Sequence, residues 1–433
     1  MKIKFLLLLV LSFLTGDLYS QFQWRLLPDS PGITGSSRNE DIHFINENTG
    51  WCVGYTGEVY RTVNGGANWT TVFNSTFGKS FRSVGFFDEN TGILGTLISD
   101  SNKVLYRTTN SGFNWTAVTN ISGTRPQGIC GINIVNENLA YACGRYFGSG
   151  RIIKTTDKGL TWNLVFSDTV VVKALIDIYF WSPDSGIAVG GNSANLLGNA
   201  VIIKTTNGGV SWVRVHVTPR QSEWCWKISF INVNTGFVSI ERGSGFAYIL
   251  KTTNSGNNWT EIPFRNYDEE GIGFVNENTG WVGGWTGPTY QTTNGGANWS
   301  LAGWGTNLNR FRFLSDTLAY AVGDRIYKYS RNPVGIQNIS TEIPVEFSLK
   351  QNYPNPFNPT TNLEFGISEL GFVSLKIYNA LGLEVATIVN ETLTPGTYNY
   401  QFSTINYQLA SGIYFYKLEA GSFTETKRMI LLK

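Results

Sequence analysis

Thr62-Val63-Asn64-Gly65-Gly66-Ala67-Asn68-Trp69 is the first of six closely similar phrases in the chain, and these phrases decide the fold. The six copies end at the tryptophans Trp69, Trp115, Trp162, Trp212, Trp259 and Trp299. Successive tryptophans are 46, 47, 50, 47 and 40 residues apart. Because one four-stranded propeller blade takes about 40–45 residues, this period predicts one blade for each copy.

Each repeat also contains segments that read as strands before the phrase. The first segment alternates apolar and polar residues, as at Ile42 and Phe44 or at Ile272 and Phe274. An alternation of period two is typical of a strand with one buried face. Turn residues and two further strands then lead into the phrase, so the sequence predicts an all-β chain.

A seventh blade is divided between the two ends of the repeat region. Residues 311–314, 319–323 and 325–329 reproduce the first three strands of a repeat, but no tryptophan phrase follows them. Residues 23–27 can supply the missing fourth strand, with Trp24 in place of the repeat tryptophan. Pairing the two ends closes the ring and leaves no free sheet edge, so we expect a seven-bladed β-propeller over residues 21–331.

The phrase resembles the Asp-box, the bacterial-neuraminidase repeat of sialidases and of many other propellers. Only Asp157 keeps the acid here, and the other five copies carry Asn. In that family the box is a folding element on the blade rim, so the resemblance implies that the six tryptophans are structural. The spacing of the repeats and the motif Asn-x-Asn-Thr-Gly-Trp are also similar to those of the photosystem II stability and assembly factor propellers. Such a resemblance concerns the fold and does not make this a photosynthetic protein.

The N-terminus has the pattern of a signal peptide over residues 1–20. Lys2 and Lys4 precede an apolar run at residues 5–14, and the small residue Ser20 precedes Gln21. The run is too short to span a membrane, and no later apolar run reaches about 18 residues. We therefore expect export through the periplasm and no transmembrane segment.

The propeller pattern stops near Ser330, where we expect a polar linker over residues 332–346 and a second domain over residues 347–433. Short strands separated by Gly382, Gly396 and Gly421 predict a small immunoglobulin-like β-sandwich. Four segments, 352–359, 377–382, 409–414 and 427–433, closely resemble the type A sorting domain of the type IX secretion system. The resemblance implies that the type IX translocon recognises residues 347–433 and that a sortase-like peptidase removes them. The protein would then be secreted or held on the outer-membrane surface. An accessory carbohydrate-binding sandwich is the alternative.

Composition argues against several classes of function. Charged residues make up 15% of the chain and the net charge is +2, so there is no basic stripe for nucleic acid. His43 and His216 are the only histidines, which argues against Ser-His catalysis and His-metal chemistry. We expect no cofactor and no metal, and we interpret His43 as a core residue with its hydrogen bonds satisfied.

Charged and aromatic residues collect in the predicted loops that lead into the first strands and join second to third strands. Propellers bring both sets of loops to one mouth, and aromatic residues with arginine are typical of binding surfaces. The candidate binding residues are Arg38, Arg82, Arg125, Arg220, Glu223, Trp224, Trp226, Asp268, Glu269, Glu270 and Arg310. Glu40, Asp41, Tyr146, Phe147, Lys173 and Trp285 lie in or beside the same loops. Ordinary solvated loops around a water-filled channel are the alternative.

Two classes of function remain open. The first is a secreted, non-catalytic propeller that binds a protein or a glycan. The second is an exo-acting glycoside hydrolase of the sialidase-like superfamily, which would need two facing carboxylates. Paired acids pointing into the central channel would favour the hydrolase.

Four cysteines, Cys52, Cys130, Cys143 and Cys225, remain in a chain that we expect to be exported. Cys130 and Cys143 flank one predicted hairpin, so one hypothesis is a disulfide between them. The other is that they are small buried thiols.

Overall fold

The structure is a computed structural model that describes residues 22–432 except residues 28, 33–36, 76–79, 98–102, 145–148, 169, 171, 244, 265–268, 286, 331–335, 341 and 405–408. The predicted signal peptide, residues 1–20, lies outside the described residues. The described chain contains 37 strands in nine sheets and no α-helix, which confirms the all-β class. It contains no helix that could cross a membrane. Contacts divide it into a first unit, Gln23–Ser330, and a second unit that includes Arg331–Lys433.

Six sheets of the first unit follow one another along the chain, each made of consecutive strands. Sheet 1 contains β2 (Asn39–Phe44), β3 (Gly50–Gly54), β4 (Glu58–Thr62) and β5 (Thr70–Asn74). Sheet 2 contains β6 (Phe81–Phe86), β7 (Gly92–Thr96), β8 (Leu105–Thr108) and β9 (Thr116–Ala117). Sheet 3 contains β11 (Gly131–Ile134), β12 (Ala140–Gly144), β13 (Gly150–Thr155) and β14 (Trp162–Asp168), with β10 (Ile121–Ser122) parallel to β14.

The next three sheets have the same antiparallel order. Sheet 4 contains β15 (Ala174–Phe180), β16 (Gly186–Gly191), β17 (Ala200–Thr205) and β18 (Val213–Val217). Sheet 5 contains β19 (Glu223–Phe230), β20 (Gly236–Arg242), β21 (Tyr248–Thr252) and β22 (Thr260–Pro263). Sheet 6 contains β23 (Glu269–Phe274), β24 (Gly280–Gly284), β25 (Pro288–Thr292) and β26 (Ser300–Thr306).

Sheet 7 joins the two ends of the first unit, as the sequence predicts. It contains β27 (Arg310–Phe313), β28 (Ala319–Val322) and β29 (Ile326–Ser330), and β1 (Gln23–Leu26) pairs antiparallel with β29. Trp24 is buried, and its ring stacks on that of Trp304 with centroids 4.9 Å apart. Around the unit each first strand contacts the next first strand, and contact between β27 and β2 completes the cycle.

Each tryptophan phrase folds into the same hydrogen-bonded loop. In the first copy the Thr62 hydroxyl donates to Asn64 Oδ1 at 3.0 Å and accepts from the Gly66 N–H at 2.9 Å. The same pair of bonds recurs in the other five copies. Gly66 has a φ of 86°, which a residue with a Cβ rarely adopts. Trp162 and Trp259 are buried and the other four tryptophans are partly buried, in agreement with a structural role.

Neighbouring sheets of the first unit are held together by stacked aromatic rings. Trp51 of sheet 1 stacks on Phe86 of sheet 2, with ring centroids 3.5 Å apart. Tyr320 of sheet 7 stacks on Phe44 of sheet 1 at 3.8 Å, so the same contact also crosses the closure. Such pairs add about 0.5–1.5 kcal/mol each beyond the area that they bury.

The second unit consists of two four-stranded antiparallel sheets around one hydrophobic core. Sheet 8 contains, in spatial order, β30 (Ile336–Ser340), β35 (Gly396–Ser403), β32 (Thr360–Ile367) and β31 (Ser348–Leu349). Sheet 9 contains, in spatial order, β34 (Glu384–Leu393), β33 (Gly371–Asn379), β36 (Gly412–Ala420) and β37 (Phe423–Leu431).

The predicted linker over residues 332–346 is only partly a linker. Within it β30 pairs antiparallel with β35, with Ile336 opposite Tyr400. An edge strand presents unpaired backbone N–H and C=O groups, so the backbone of a polar segment can complete the sheet without an apolar pattern. The sequence of residues 336–340 therefore gives no sign of a strand.

Candidate functional site

The first strands of the seven sheets each have one residue that faces the centre of the unit, and five of these residues carry a side chain. The position concerned immediately precedes the alternating apolar pair of the strand. It is occupied by Asp41, Ser83, Gly131, Asp177, Lys227, Gly271 and Arg310. Arg310 of sheet 7 reaches Asp177 of sheet 4 through two hydrogen bonds of 2.7 and 3.0 Å. A contact between sheets three apart shows that these side chains face the middle of the ring.

Arg310 connects two carboxylates at this centre. Its Nε lies 3.1 Å from Asp41 Oδ1, and Nη2 of Arg312 lies 3.2 Å from the same oxygen. Arg310, Asp41 and Asp177 are all at most 2% exposed. The centre therefore contains a buried ionic network rather than solvated loops.

A second group of buried side chains surrounds Glu40, at the end of the unit where the sequence predicts the mouth. Glu40 accepts from Arg82 at 2.5 Å and from Asn309 at 2.8 Å. The Asn309 oxygen in turn accepts from the indole N–H of Trp226 at 3.1 Å. The Arg82 guanidinium carbon lies 5.3 Å from the centre of the Trp226 ring, which completes a cycle across sheets 1, 2, 5 and 7.

Arg38 connects this cycle to the exposed surface. Its guanidinium pairs with Glu40 at 3.0 Å and with Glu270, and its central carbon lies 4.2 Å from the centre of the Trp285 ring. Arg38 has no exposed area, whereas Trp285 is 36% exposed. Trp285 is thus an exposed aromatic that packs directly on the buried network.

Side chains of one sheet also satisfy the inner backbone edge of the next. Asp41 Oδ2 accepts from the Val84 N–H at 3.2 Å, and Asp177 Oδ2 accepts from the Ile228 N–H at 3.1 Å. His43 Nδ1 accepts from the Phe86 N–H at 3.3 Å, as a neutral imidazole can. Burial, and after it the charge of Arg312, lowers the pKa of His43 to about 4. His43 is partly buried and one ring nitrogen is hydrogen-bonded, which agrees with the interpretation of a core residue but leaves it a prediction.

The structure therefore corrects the predicted exposed ring of mixed charge. Arg38, Arg82, Trp226, Glu270 and Arg310 come together as predicted, but they are buried. The first strands extend further towards the N-terminus than their apolar pairs indicate, and a β-bulge shifts the register at this point in sheets 1, 2, 4, 5 and 6. A bulge turns two successive side chains inwards, which a strict period of two cannot predict.

The remaining predicted residues pair with other partners, are buried, or lie outside the described residues. Arg220 pairs with Glu223 at 2.6 Å and with Glu261 at 2.7 Å, and Arg125 donates to the Thr119 carbonyl. Trp224 and Glu269 are buried. Asp268, Tyr146 and Phe147 lie outside the described residues. Arg82, Arg125 and Arg220 thus form no common surface.

Of the two hypotheses for Cys130 and Cys143, the structure agrees with buried thiols, because both cysteines are free and buried. Gly131 is the residue opposite Cys143 in the ladder between β11 and β12. Because neighbouring residues of an extended chain point to opposite sides, this register directs the Cys130 side chain away from Cys143. In the part of the chain that the structure describes, no group of three or more His, Cys, Asp and Glu is placed to hold a metal ion.

Three exposed apolar residues at the mouth lie in loops between second and third strands. Leu197 of sheet 4 is 63% exposed and Phe246 of sheet 5 is 64% exposed, and Trp285 occupies the corresponding loop of sheet 6. Trp285 is among the residues predicted from the sequence, whereas Leu197 and Phe246 are not. The surface is predicted from charged residues in the loops, and the loops of Leu197 and Phe246 contain none.

We expect the first unit to lose stability in acid. Burial acts to raise the pKa of Glu40, Asp41 and Asp177, but the neighbouring arginines hold each pKa below its ordinary value. Groups with a lowered pKa stabilise the fold above their unfolded pKa, about 4, and lose that contribution as the pH falls further. His43 acts in the same direction between its unfolded pKa of about 6.5 and its folded value of about 4.

Tryptophan fluorescence can follow this loss in the first unit alone, because all 14 tryptophans lie between Trp24 and Trp304. The melting temperature should decrease from pH 6.5 downwards and most steeply below about pH 4. A melting temperature that stays constant down to pH 3 would contradict the burial of paired carboxylates.

Replacing Arg310 should strongly destabilise the first unit. The substitution Arg310→Met leaves Asp177 without its bidentate partner in a buried position, which costs about 3–5 kcal/mol. Urea unfolding followed by tryptophan fluorescence measures this change. Arg214→Met, at an exposed arginine of β18, is the matched control and should change the free energy of unfolding by less than about 0.5 kcal/mol. Equal stabilities of the two variants would show that the central network contributes little.

Comparison with known proteins adds the family of the C-terminal residues. Residues 351–432 match the family model of the secretion system C-terminal sorting domain. The second unit contains a sorting domain. Residues 32–171 match the family model of the photosynthesis system II assembly factor YCF48. No curated protein matches the chain.

Solved structures resemble the chain in fold. YCF48 bound to a D1 peptide has 18% identity and a TM-score of 0.53, covering 71% of this chain and 94% of its own. YCF48 from Cyanidioschyzon merolae has 19% identity and a TM-score of 0.53, with 71% and 98% coverage. A GH74 enzyme from Niastella koreensis has 14% identity and a TM-score of 0.52, with 92% and 74% coverage. At such identities the likeness concerns the fold alone.

The proline-rich opening of the sorting domain holds its last strand in place. Phe357 is buried, its N–H donates to the Ile430 carbonyl at 3.0 Å, and its carbonyl accepts from the Leu432 N–H at 3.1 Å. Asn355 Oδ1 accepts from the Ile430 N–H at 2.9 Å. This part of the motif therefore has a structural role in the sorting domain.

Proposed function

We propose that the protein is exported by the type IX secretion system and reaches the medium or the outer-membrane surface. The match of residues 351–432 to the sorting domain is the observation that carries this proposal. The partners are the translocon and a sortase acting on residues 347–433. The signal peptide over residues 1–20 would bring the chain to the periplasm first.

We further propose that residues 21–331 form a seven-bladed β-propeller and that the sorting domain is an immunoglobulin-like sandwich. Seven sheets whose first strands contact one another in a closed cycle support the propeller. Two antiparallel sheets around one core support the sandwich.

We infer that the propeller binds a protein or a glycan and does not hydrolyse one. A glycosidase needs a carboxyl group with a raised pKa as its general acid. The central carboxylates Glu40, Asp41 and Asp177 instead have lowered pKa values and are buried against arginines. This arrangement supports a binding role over the hydrolase alternative.

The binding surface that we propose is the set of exposed apolar residues at the mouth, Leu197, Phe246 and Trp285. Exposed aromatic side chains with arginine nearby are typical of binding hot spots, and Leu197 adds exposed apolar area. Arg38 lies under Trp285, and Arg242 donates to the Phe246 carbonyl at 2.7 Å. A similar structure, YCF48, is described as bound to a peptide, which supports a polypeptide ligand for this fold.

The secreted protein should bind a component of a glycan array or of a surface-protein array and should leave a panel of aryl glycosides intact. The double substitution Leu197→Ser and Phe246→Ser should weaken that binding at least about tenfold, because both side chains contribute apolar area. Phe113→Ser is the matched control, since Phe113 is 52% exposed in a tryptophan phrase at the opposite end of the strands. Turnover of any glycoside, or equal binding by the double variant, would contradict the proposal.

A further inference from the structure

Lys227 occupies the central position of β19 and is 1% exposed. Among the residues that the structure describes, its Nζ has no hydrogen-bond partner. A buried ammonium group without a partner is strongly unfavourable, because it has lost its hydration and gained nothing in exchange. This orphaned cation therefore needs a compensating group.

The charged side chains around Lys227 already compensate one another. Direct contacts pair four carboxylates with four guanidinium groups, namely Glu40, Asp41, Asp177 and Glu270 with Arg38, Arg82, Arg310 and Arg312. Asp41 and Asp177 also accept backbone N–H groups. Lys227 is a fifth cation that these pairs leave out.

Two neighbouring residues of β6 each carry a further buried donor that has no hydrogen-bond partner in the described part of the chain. They are Arg82 Nε and Ser83 Oγ, on residues that are 4% and 0% exposed. Ser83 holds the same central position in sheet 2 that Lys227 holds in sheet 5, and the Arg82 guanidinium lies over the ring of Trp226, the neighbour of Lys227. The equivalent positions in sheets 3 and 6 are Gly131 and Gly271, which contribute no side chain.

We propose that the centre of the first unit contains a buried binding site for a small inorganic anion of the size of chloride, held by Lys227 Nζ with Arg82 Nε and Ser83 Oγ. Three buried donors without hydrogen-bond partners, one of them an ammonium group, are the chemistry that selects an anion. Because the side chains around the site are buried, we expect it to admit only a small ion. For the same reason the ion would be taken up while the chain folds. Burial, and after it the charge of Arg310, lowers the pKa of Lys227 to about 7 in the absence of such a partner.

Bromide replaces chloride and gives an anomalous X-ray signal, so it can reveal the site directly. The full chain is unfolded in urea, refolded in potassium bromide and crystallised. We expect an anomalous peak within about 3.5 Å of Lys227 Nζ. A density peak without anomalous signal would identify an ordered water beside a neutral lysine, and the proposal would be wrong.

Stability provides the second measurement. The full chain refolded in potassium chloride should melt at least about 2 °C higher than in potassium gluconate of equal ionic strength, because the anion binds only the folded state. Tryptophan fluorescence follows the first unit in both salts. Lys227→Met should abolish the difference between the salts, whereas Lys103→Met, at an exposed lysine, should retain it. Equal melting of the native chain in the two salts would overturn the proposal, even if Lys227→Met failed to fold.

Discussion

Removing residues 22–27 should abolish the single cooperative unfolding transition of the first unit. Those residues contain β1, the strand that pairs with β29 and completes sheet 7. Their loss exposes the backbone edge of β29 and takes Trp24 out of a cluster with Trp281, Trp304 and Tyr329. An exposed edge can pair with a second molecule, so we also expect dimers or larger species in size-exclusion chromatography.

A point substitution separates the role of the tryptophan from that of the strand. Trp24→Ala keeps the backbone ladder and should lower the free energy of unfolding by about 3–5 kcal/mol through the cavity that it leaves. Leu26→Ala is the control in the same strand, because Leu26 is 48% exposed. A truncated protein that melts cooperatively as a monomer would show that closure of sheet 7 does not stabilise the first unit.

Deleting residues 336–433 should eliminate export across the outer membrane and leave a folded first unit in the periplasm. The deletion begins at β30, which the structure assigns to sheet 8, so that no strand of the second unit remains. A deletion from residue 345 would leave β30 without its neighbour β35. Immunoblots of medium, surface and periplasm measure the distribution, and we expect the exported fraction to decrease at least about tenfold.

Point variants in the full chain test whether export needs a folded sorting domain. Phe357→Ala removes a ring that is 2% exposed and should cost about 3–5 kcal/mol in the second unit. Leu370→Ala changes a residue that is 67% exposed and should leave export unchanged. Export of the 336–433 deletion at the native level would refute the proposed route.

The repeat architecture could be predicted because it depends on short-range hydrogen bonds within a motif that occurs six times in the sequence. Each loop is closed within five residues, in the first copy by the hydroxyl of Thr62, the side chain of Asn64 and the backbone of Gly66. The same residues therefore give the same structure in each copy. The closing strand could be predicted because Trp24 stands without a repeat of its own. Both inferences needed only sequence periodicity and the rule that sheet edges are covered.

The central network could not be predicted because its partners are distant in sequence and a bulge hides the direction of its side chains. Arg310 and Asp177 are 133 residues apart, and Glu40 and Arg82 precede the alternating segments by which strands were recognised. One signal was present. The residue before the apolar pair is acidic in two strands and basic in two others, at Asp41, Asp177, Lys227 and Arg310. Complementary charges at equivalent positions of a closed ring indicate contacts across its centre.

The pairing of β1 with β29 has a practical consequence for protein engineering. Gln23 lies directly opposite Ser330, so the first and last residues of the unit are neighbours in one ladder, about 5 Å apart. A unit with adjacent termini can be inserted as a cassette between two consecutive residues of a host loop, because the host chain need not stretch to accommodate it. Joining Gln23 to Ser330 by a short glycine-rich peptide would likewise permit circular permutation, with new termini in the exposed turn of any tryptophan phrase.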